Sequence, residues 1–320
     1  MPNVLFFTDD APEITALVLR QAPPAFEVNV QPSHLREAEQ RRLLAEADFV
    51  ILNSRMPAEE ALRAAPRLKL IQLMSAGYNH INLDLCRELG IPVANNGGAN
   101  AIDVAEHTLA LILGVYRQLF ATDAAARNNR WRPEDFSLAA HTIHGRTVGI
   151  IGAGKIGQRV AHLLHAFGAR VLYYDAWPLP AVEEATLGLT RATLPDLLRQ
   201  SDIVTLHVNL SPESYHLIGR QELALLKPTA LLVNTCRGSV VDEAALLEAL
   251  TARRIMGAAL DVLEEEPPAP DNPILKLDNV LLSPHMAGNS HDTWLRRGQF
   301  AFDNIQRVWM GQLPQAVVNR

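Results

Sequence analysis

The stretch that most constrains the fold is residues 147–175, TVGIIGAGKIGQRVAHLLHAFGARVLYYD. An apolar, β-branched run leads into Gly152-Ala-Gly154-Lys-Ile-Gly157, a helical pattern continues to about Gly168, and a second apolar run ends on Asp175. Three glycines at this spacing are a weak signal alone, but between strand, helix and strand each has a physical task. Gly152 permits the tight turn out of the strand, Gly154 lets a pyrophosphate approach the backbone, and Gly157 lets helix and strand pack closely. The unpaired N–H groups at the helix start, with the positive end of its dipole, suit phosphate. The segment therefore predicts a Rossmann-type unit that binds a dinucleotide. Asp175 narrows the choice, because a strand-end carboxylate can accept both ribose hydroxyls of the adenosine and would repel a 2′-phosphate. The residues that follow, AWPLP, contain no Arg or Lys to hold such a phosphate, so the expected cofactor is NAD.

A chain of 320 residues is longer than one hydrophobic core usually organises, and two domains are expected. In the first hundred residues the strand-like runs NVLFFTD, FEVNV, DFVIL, KLIQLM and IPVA alternate with the helical patterns PEITALVLRQ, 34–47, PAEEALRAA and NLDLCREL. After the loop NNGGAN comes a long apolar helix, expected over roughly 101–120, and then RNNRWRPEDFS, which reads as a connection. From Arg146 the alternation resumes with six candidate strands, TVGII, RVLYYD, DIVTLHV, ALLVNT, IMGAALDVL and NVLLSP, the last read as buried. Such alternation implies parallel sheets with helices on both faces. The last amphipathic segment, about 291–310, carries Trp294, Phe300, Ile305 and Trp309 and is placed back on the first domain. The expected organisation is an α/β protein of two doubly wound parallel sheets. The substrate domain would comprise 1–99 and 291–320, and the NAD-binding domain 100–290.

Net charge is −6, which gives no support for binding nucleic acid or an anionic membrane. The start, MPNVLFFTDD, has no basic leader, and no apolar run reaches the roughly 18 residues of a membrane span. Two cysteines, Cys86 and Cys236, are too few for a disulfide framework, so a reduced, cytoplasmic protein is expected.

In open parallel sheets ligands bind beyond the carboxyl ends of the strands. Arg237 follows ALLVNTC, Glu266 follows IMGAALDVLEE and His285 follows NVLLSP, with Asp261 ending its own strand. Hydride removal from a secondary alcohol needs a base for the hydroxyl proton, and imidazole titrates near neutrality. A carboxylate beside it orients the ring and favours its cation, while a guanidinium can grip an α-carboxylate in bidentate fashion. Together the three residues suit interconversion of a 2-hydroxy acid and a 2-oxo acid.

Each residue alone has a plainer reading. A strand-end histidine is ordinarily structural, Arg237 could be a surface ion-pair partner, and EEEPP an exposed acidic turn. Cys236 reads as a small buried residue and His107 as helix packing. His141/His144 and His162/His165 have a metal-like spacing but no further ligand in sequence, so no metal is expected.

The segments NTCRGSVVDEAAL, GAALDVLEEEP and LLSPHMAG, following GAGKIG, resemble the D-isomer-specific 2-hydroxyacid dehydrogenase family. SAGYNHINLD and GANAIDVAEHTLALIL resemble family patterns too, so the likeness runs from about Ser75 through His285. It implies two flavodoxin-like or Rossmann-like domains around a cleft and a homodimer built through the NAD domains. It also implies that His285 is the general acid/base, Glu266 its partner, and Arg237 the group binding substrate carboxylate and carbonyl. Backbone N–H groups of Ser75, Ala76 and Gly77 would hold the carboxylate, and Asp261 the nicotinamide carboxamide. The cofactor envelope would include Lys155 and Ile156 beside the glycines, Val208 and Asn209, Thr235 and Cys236 ahead of Arg237, and Gly288 beyond His285.

Two positions depart from the family. Asn209 stands where proline is common, and Cys236 where Ser or Ala is usual. The substrate is expected to be glyoxylate or hydroxypyruvate. LMSAGYNHIN and NNGGANAID carry no Arg or Lys, ILNSRMP offers only Arg55, and Asn53 stands where phosphoglycerate dehydrogenases resemble one another in carrying arginine. A D-3-phosphoglycerate dehydrogenase and a non-enzymatic NAD(H)-sensing interaction protein of the same fold remain as alternatives.

Overall fold

The computed structural model describes residues 1–53, 55–131 and 134–319. The chain divides into two compact units, Met1–Asn100 with Asn289–Arg320, and Ala101–Gly288.

In the first unit the chain runs β1 (Asn3–Phe7), α1 (Pro12–Leu19), β2 (Glu27–Gln31), α2 (Glu37–Leu44), β3 (Phe49–Leu52), α3 (Glu59–Arg63), β4 (Leu70–Leu73), α4 (Leu83–Glu88) and β5 (Val93–Ala94). The five strands are all parallel, in the order β2-β1-β3-β4-β5, which is the flavodoxin-like arrangement. Covering a parallel sheet on both faces requires strands that are apolar throughout rather than alternating. FVIL of β3 and LIQL of β4 are buried at every position.

The second unit holds α5 (Ala101–Tyr116), α6 (Leu119–Arg127), α7 (Glu134–Ala139), β6 (Thr147–Ile151), α8 (Lys155–Ala166), β7 (Arg170–Tyr174), α9 (Ala181–Leu187), β8 (Thr190–Arg191), α10 (Leu194–Gln200), β9 (Ile203–Leu206), α11 (Arg220–Leu223), β10 (Leu231–Asn234), α12 (Glu243–Thr251), β11 (Gly257–Leu260) and β12 (Val280–Leu282). Its seven strands are parallel in the order β12-β11-β10-β9-β6-β7-β8. The chain builds outward from β6 through β7 to β8, then crosses back to β9, so the strand order reverses between β6 and β9. Helix α8 shows why the GKIGQRVAHLLHA segment docks, for it buries Gly157, Val160, Ala161 and Leu164 along one stripe. The last helix, α13 (His291–Trp309), belongs to the first unit and packs on α1 and β4. Gly298 makes that contact possible, since a Cβ there would lie 2.9 Å from the Val18 carbonyl oxygen. The chain end then follows β5, with Val318 N–H donating to the Val93 carbonyl at 2.8 Å.

Four expectations need correction. The apolar helix over 101–120 is two helices bent by 58°, because Gln118 takes a left-handed conformation (φ 53°) and caps α6. Part of RNNRWRPEDFS is helical, as α7, while Arg132 and Pro133 lie outside the described residues. A seventh strand, β8, adds two residues at the sheet edge beside β7. NVLLSP is an edge strand and only half-buried. Among the described residues no single helix is long and apolar enough to cross a membrane.

Candidate active site

The reversal between β6 and β9 is where a doubly wound sheet opens a crevice for a ligand, and the glycine loop sits there. Gly152 has φ 97°, and a Cβ on it would meet the His207 carbonyl oxygen at 2.5 Å. Gly157 lies under the loop, where a Cβ would come 2.0 Å from the Gly152 carbonyl oxygen. Around Gly154, the N-cap of α8, a Cβ would meet nothing within 4 Å. Two glycines are thus required by contact and the third leaves open space at a helix N-terminus, which fits a pyrophosphate over Lys155 and Ile156.

Asp175 directly follows β7, and both its oxygens are held, by Ala153 N–H at 2.7 Å and Trp177 N–H at 2.9 Å. The carboxylate is thereby tied to the glycine turn at the strand end where an adenosine ribose would sit. His207, which sequence reasoning passed over, follows β9 on the other side of the crevice, with Nε2 3.0 Å from Thr205 Oγ1. Burial pushes its pKa down to about 3, so it adds no charge beside the loop at neutral pH. Val208 contacts the loop from the same side, and Asn209 is exposed, its carbonyl accepting from Ser214 Oγ at 2.6 Å.

The ionisable residues gather on the carboxyl rim of the same sheet. Thr235 and Cys236 follow β10 and are buried, and Arg237 is half-buried, with one guanidinium N–H donating to the Cys236 carbonyl at 2.6 Å. Asn234 Nδ2 donates to the Arg237 carbonyl at 2.9 Å and so holds that turn from below. Burial pushes the Cys236 thiol up to about 11, which keeps it protonated and unsuited to nucleophilic attack.

His285 Nδ1 lies 2.6 Å from Glu266 Oε2, and the other Glu266 oxygen accepts from Leu263 N–H at 3.1 Å. Burial by itself would raise the Glu266 carboxyl. The hydrogen bond and charge of His285, then Leu263 N–H and the Arg237 charge, outweigh it and hold the group below its ordinary value. Glu266, Asp261, Ser283 and His285, with Pro267 and Pro268, line one cavity of about 480 Å³.

His285 adopts φ 54°, a conformation that costs a non-glycine residue about 1–3 kcal/mol and persists only where its surroundings impose it. Asp261 does so. Its carbonyl accepts His285 N–H at 2.7 Å, Oδ1 accepts Met286 N–H at 2.8 Å, and Oδ2 accepts Ala287 N–H at 2.8 Å. Asp261 is 2% exposed, so the turn ahead of Gly288 is built around a buried carboxylate. His107 is not merely packed in α5, as expected from sequence, since its Nε2 lies 2.9 Å from Ser283 Oγ.

In the first unit the carbonyls of Ser75, Ala76 and Gly77 are each taken, by Asn96 N–H at 3.0 Å, Asn95 Nδ2 at 3.0 Å and Ser75 Oγ at 2.7 Å. Those three bonds fix the peptide planes of the loop after β4. Among the described residues no three His, Cys, Asp or Glu side chains gather into a metal-binding group.

A family model for the NAD-binding domain of D-isomer-specific 2-hydroxyacid dehydrogenases matches residues 109–287. The chain belongs to that family. It is an NAD-linked oxidoreductase, and the glycine loop, Asp175 and the rim around His285 all lie within the matched residues.

Among its relatives, the glyoxylate reductase of Aeropyrum pernix is 38% identical over 305 residues, 93% of this chain and 87% of that protein. The D-3-phosphoglycerate dehydrogenase of Methanocaldococcus jannaschii is 35% identical over 89% of this chain, which spans only 54% of that longer protein. A solved 2-hydroxyacid dehydrogenase from Lactobacillus delbrueckii ssp. bulgaricus, in its NAD-complexed form, is 25% identical. It superposes with a TM-score of 0.81 and 99% coverage of both chains.

Proposed function

We propose that this family member reduces a small, unphosphorylated 2-oxo acid with NADH, with glyoxylate or hydroxypyruvate as the first substrates to try. The observation that carries the reading is the 2.6 Å pair of His285 and Glu266 on the rim that also bears Arg237. NADH, when bound, supplies the hydride for the carbonyl carbon. The Arg237 guanidinium pairs with the acid's carboxylate and polarises its carbonyl. The protonated His285 ring gives its Nε2 proton to the oxygen as negative charge develops there, and Glu266 steadies the imidazolium until then. In the oxidation direction the same ring takes the hydroxyl proton. Ser75, Ala76 and Gly77, with peptide planes already fixed, are proposed as additional holders of the carboxylate. Asp175 directs the site to NAD, with Val208, Asn209, Thr235 and Gly288 as further cofactor contacts.

The naming of relatives as glyoxylate reductases at 38–39% identity supports the substrate choice. The direct test is loss of NADH absorbance at 340 nm with glyoxylate, hydroxypyruvate and 3-phosphohydroxypyruvate. Turnover only with the phosphorylated acid would overturn the reading.

The active form is proposed to be a homodimer joined through the NAD-binding unit. Leu119, Phe120, Trp131 and Leu138 are each at least half exposed within one short stretch, and large apolar side chains seldom lie so without a partner surface. Light scattering of the native chain and of Phe120→Asp tests this. A native mass of one chain would refute it. The proposed compartment is the reduced cytoplasm, supported by two free, buried cysteines.

A further inference from the structure

The turn that carries His285 is built by Asp261, and what holds Asp261 continues beyond the site described above. Its Oδ1 accepts a second hydrogen bond, from Ser283 Oγ at 2.5 Å. A carboxylate accepts only, so the Ser283 hydroxyl is the donor there. The hydroxyl oxygen is then left to accept, and His107 Nε2 stands 2.9 Å away. For that bond to form, the imidazole must carry its proton on Nε2, which sets the order His107 Nε2–H to Ser283 Oγ–H to Asp261 Oδ1. The same His107 nitrogen is 3.6 Å from Asp261 Oδ1 itself. On the next residue of α5, Thr108 Oγ1 lies 3.2 Å from Thr235 Oγ1, just past β10. Two successive helix residues therefore reach two strand ends of the catalytic rim.

We infer that His107 is a positioning residue, which through Ser283 fixes the Asp261 carboxylate and thereby the left-handed turn that presents His285. A serine hydroxyl has three staggered wells, and in two of them Oγ would no longer bridge the two groups. The imidazole selects the well in which the hydroxyl points at Asp261. With Oδ1 so fixed, the N–H groups of Met286 and Ala287 meet one carboxylate in one orientation. A histidine that merely filled space in α5 would need no acceptor, and any side chain of its size would serve.

The effect on turnover rests on the proposed function, so the test has one arm that needs no catalysis. In the full chain, hydrogen–deuterium exchange is followed at the Met286 and Ala287 amides for the native protein, His107→Leu, His107→Gln and Ser283→Ala. The Gln side chain can return an N–H near the Nε2 position. Exchange at both amides is expected to quicken severalfold in His107→Leu and Ser283→Ala and to return toward native in His107→Gln.

The second arm measures glyoxylate reduction. There kcat should fall about threefold to tenfold in His107→Leu, the worth of one neutral hydrogen bond, while the KM for NADH stays within about twofold. His107→Gln should recover most of the loss, and the double variant should be no worse than either single one. Unchanged exchange in a folded His107→Leu, a Gln variant as impaired as Leu, or additive losses in the double variant would each overturn the inference. If His107→Leu does not fold, Ser283→Ala, which removes one oxygen, carries the same readouts. Native protein that leaves NADH untouched defeats the functional reading, and amide exchange still decides the role of His107.

Discussion

Glu266 Oε2 sits 2.6 Å from His285 Nδ1, and its second oxygen is held by the Leu263 N–H, so the imidazole faces a carboxylate that cannot turn away. The arrangement orients the ring, so that Nε2 is left for the substrate oxygen. Replacing His285 with Gln should lower kcat by about 10²–10⁴ with NADH binding nearly intact. Glu266→Gln keeps a hydrogen-bonding group and loses the charge. Its kcat should fall by about 10–10²-fold, the worth of a charged hydrogen bond, with NADH binding nearly intact. Steady-state rates for the three proteins check both, and a His285→Gln enzyme with half the native turnover would remove the ring from the chemistry.

The cofactor preference proposed for Asp175 would act through a carboxylate already tied to Ala153 and Trp177. A 2′-phosphate would meet that charge at close range. We expect kcat/KM to favour NADH over NADPH by at least about tenfold, or ~1.4 kcal/mol. In Asp175→Ala the ratio should narrow, chiefly through loss of NADH efficiency. Equal use of both cofactors by the native enzyme would contradict this account.

Much of this site was legible in the sequence because its chemistry is local. Residues just beyond apolar runs, such as Arg237 and His285, fall at strand ends in any parallel sheet. The need for Gly157 is likewise local, since it is set by the Gly152 carbonyl five residues earlier, although Gly152 also clears the distant His207 carbonyl. The features that escaped are those set by distant partners or by single torsions. The bend at Gln118 interrupts an apolar pattern that runs on unchanged in LILGVYRQLF. The half-buried edge position of NVLLSP depends on its being last in the sheet order, which its residues do not encode. His107 and Ser283 are 176 residues apart, and no period or motif relates them.

In the first unit, Asn53 Nδ2 donates to Asp10 Oδ2 at 2.6 Å, and Thr8 Oγ1 donates to the same oxygen at 2.8 Å. Thr8 follows β1 and Asn53 follows β3, the two strands between which this sheet reverses, so a carboxylate occupies the natural ligand position of the unit. That charge opposes a phosphate dianion. Hydroxypyruvate should therefore be reduced with kcat/KM at least about tenfold above that for 3-phosphohydroxypyruvate. Asn53→Arg should narrow the gap by pairing with Asp10 and adding a donor. A native preference for the phosphorylated acid would show that other basic groups serve it.

Stability should depend on Asp202, which stands ahead of β9 with its side chain only 17% exposed. Burial alone would raise its carboxyl. The hydrogen bond from Lys227 at 2.8 Å and that from Thr147 N–H at 2.9 Å, with the charges of Lys227 and Arg146, outweigh burial and hold it below the ordinary value. A group whose pKa is depressed by folding stabilises the native state above its unfolded pKa, and that contribution fades as pH falls through the folded value. Asp202→Asn should accordingly cost about 1–3 kcal/mol at neutral pH, because Lys227 loses its counter-charge. The difference between native and variant should shrink as the pH falls below about 4, the ordinary carboxyl value, because the unfolded chain then takes up a proton that the depressed native carboxyl still resists. Urea unfolding of both proteins across that range measures the difference directly. A gap that stays constant down to the acid limit would mean the substitution acts through packing or the Thr147 bond rather than through charge.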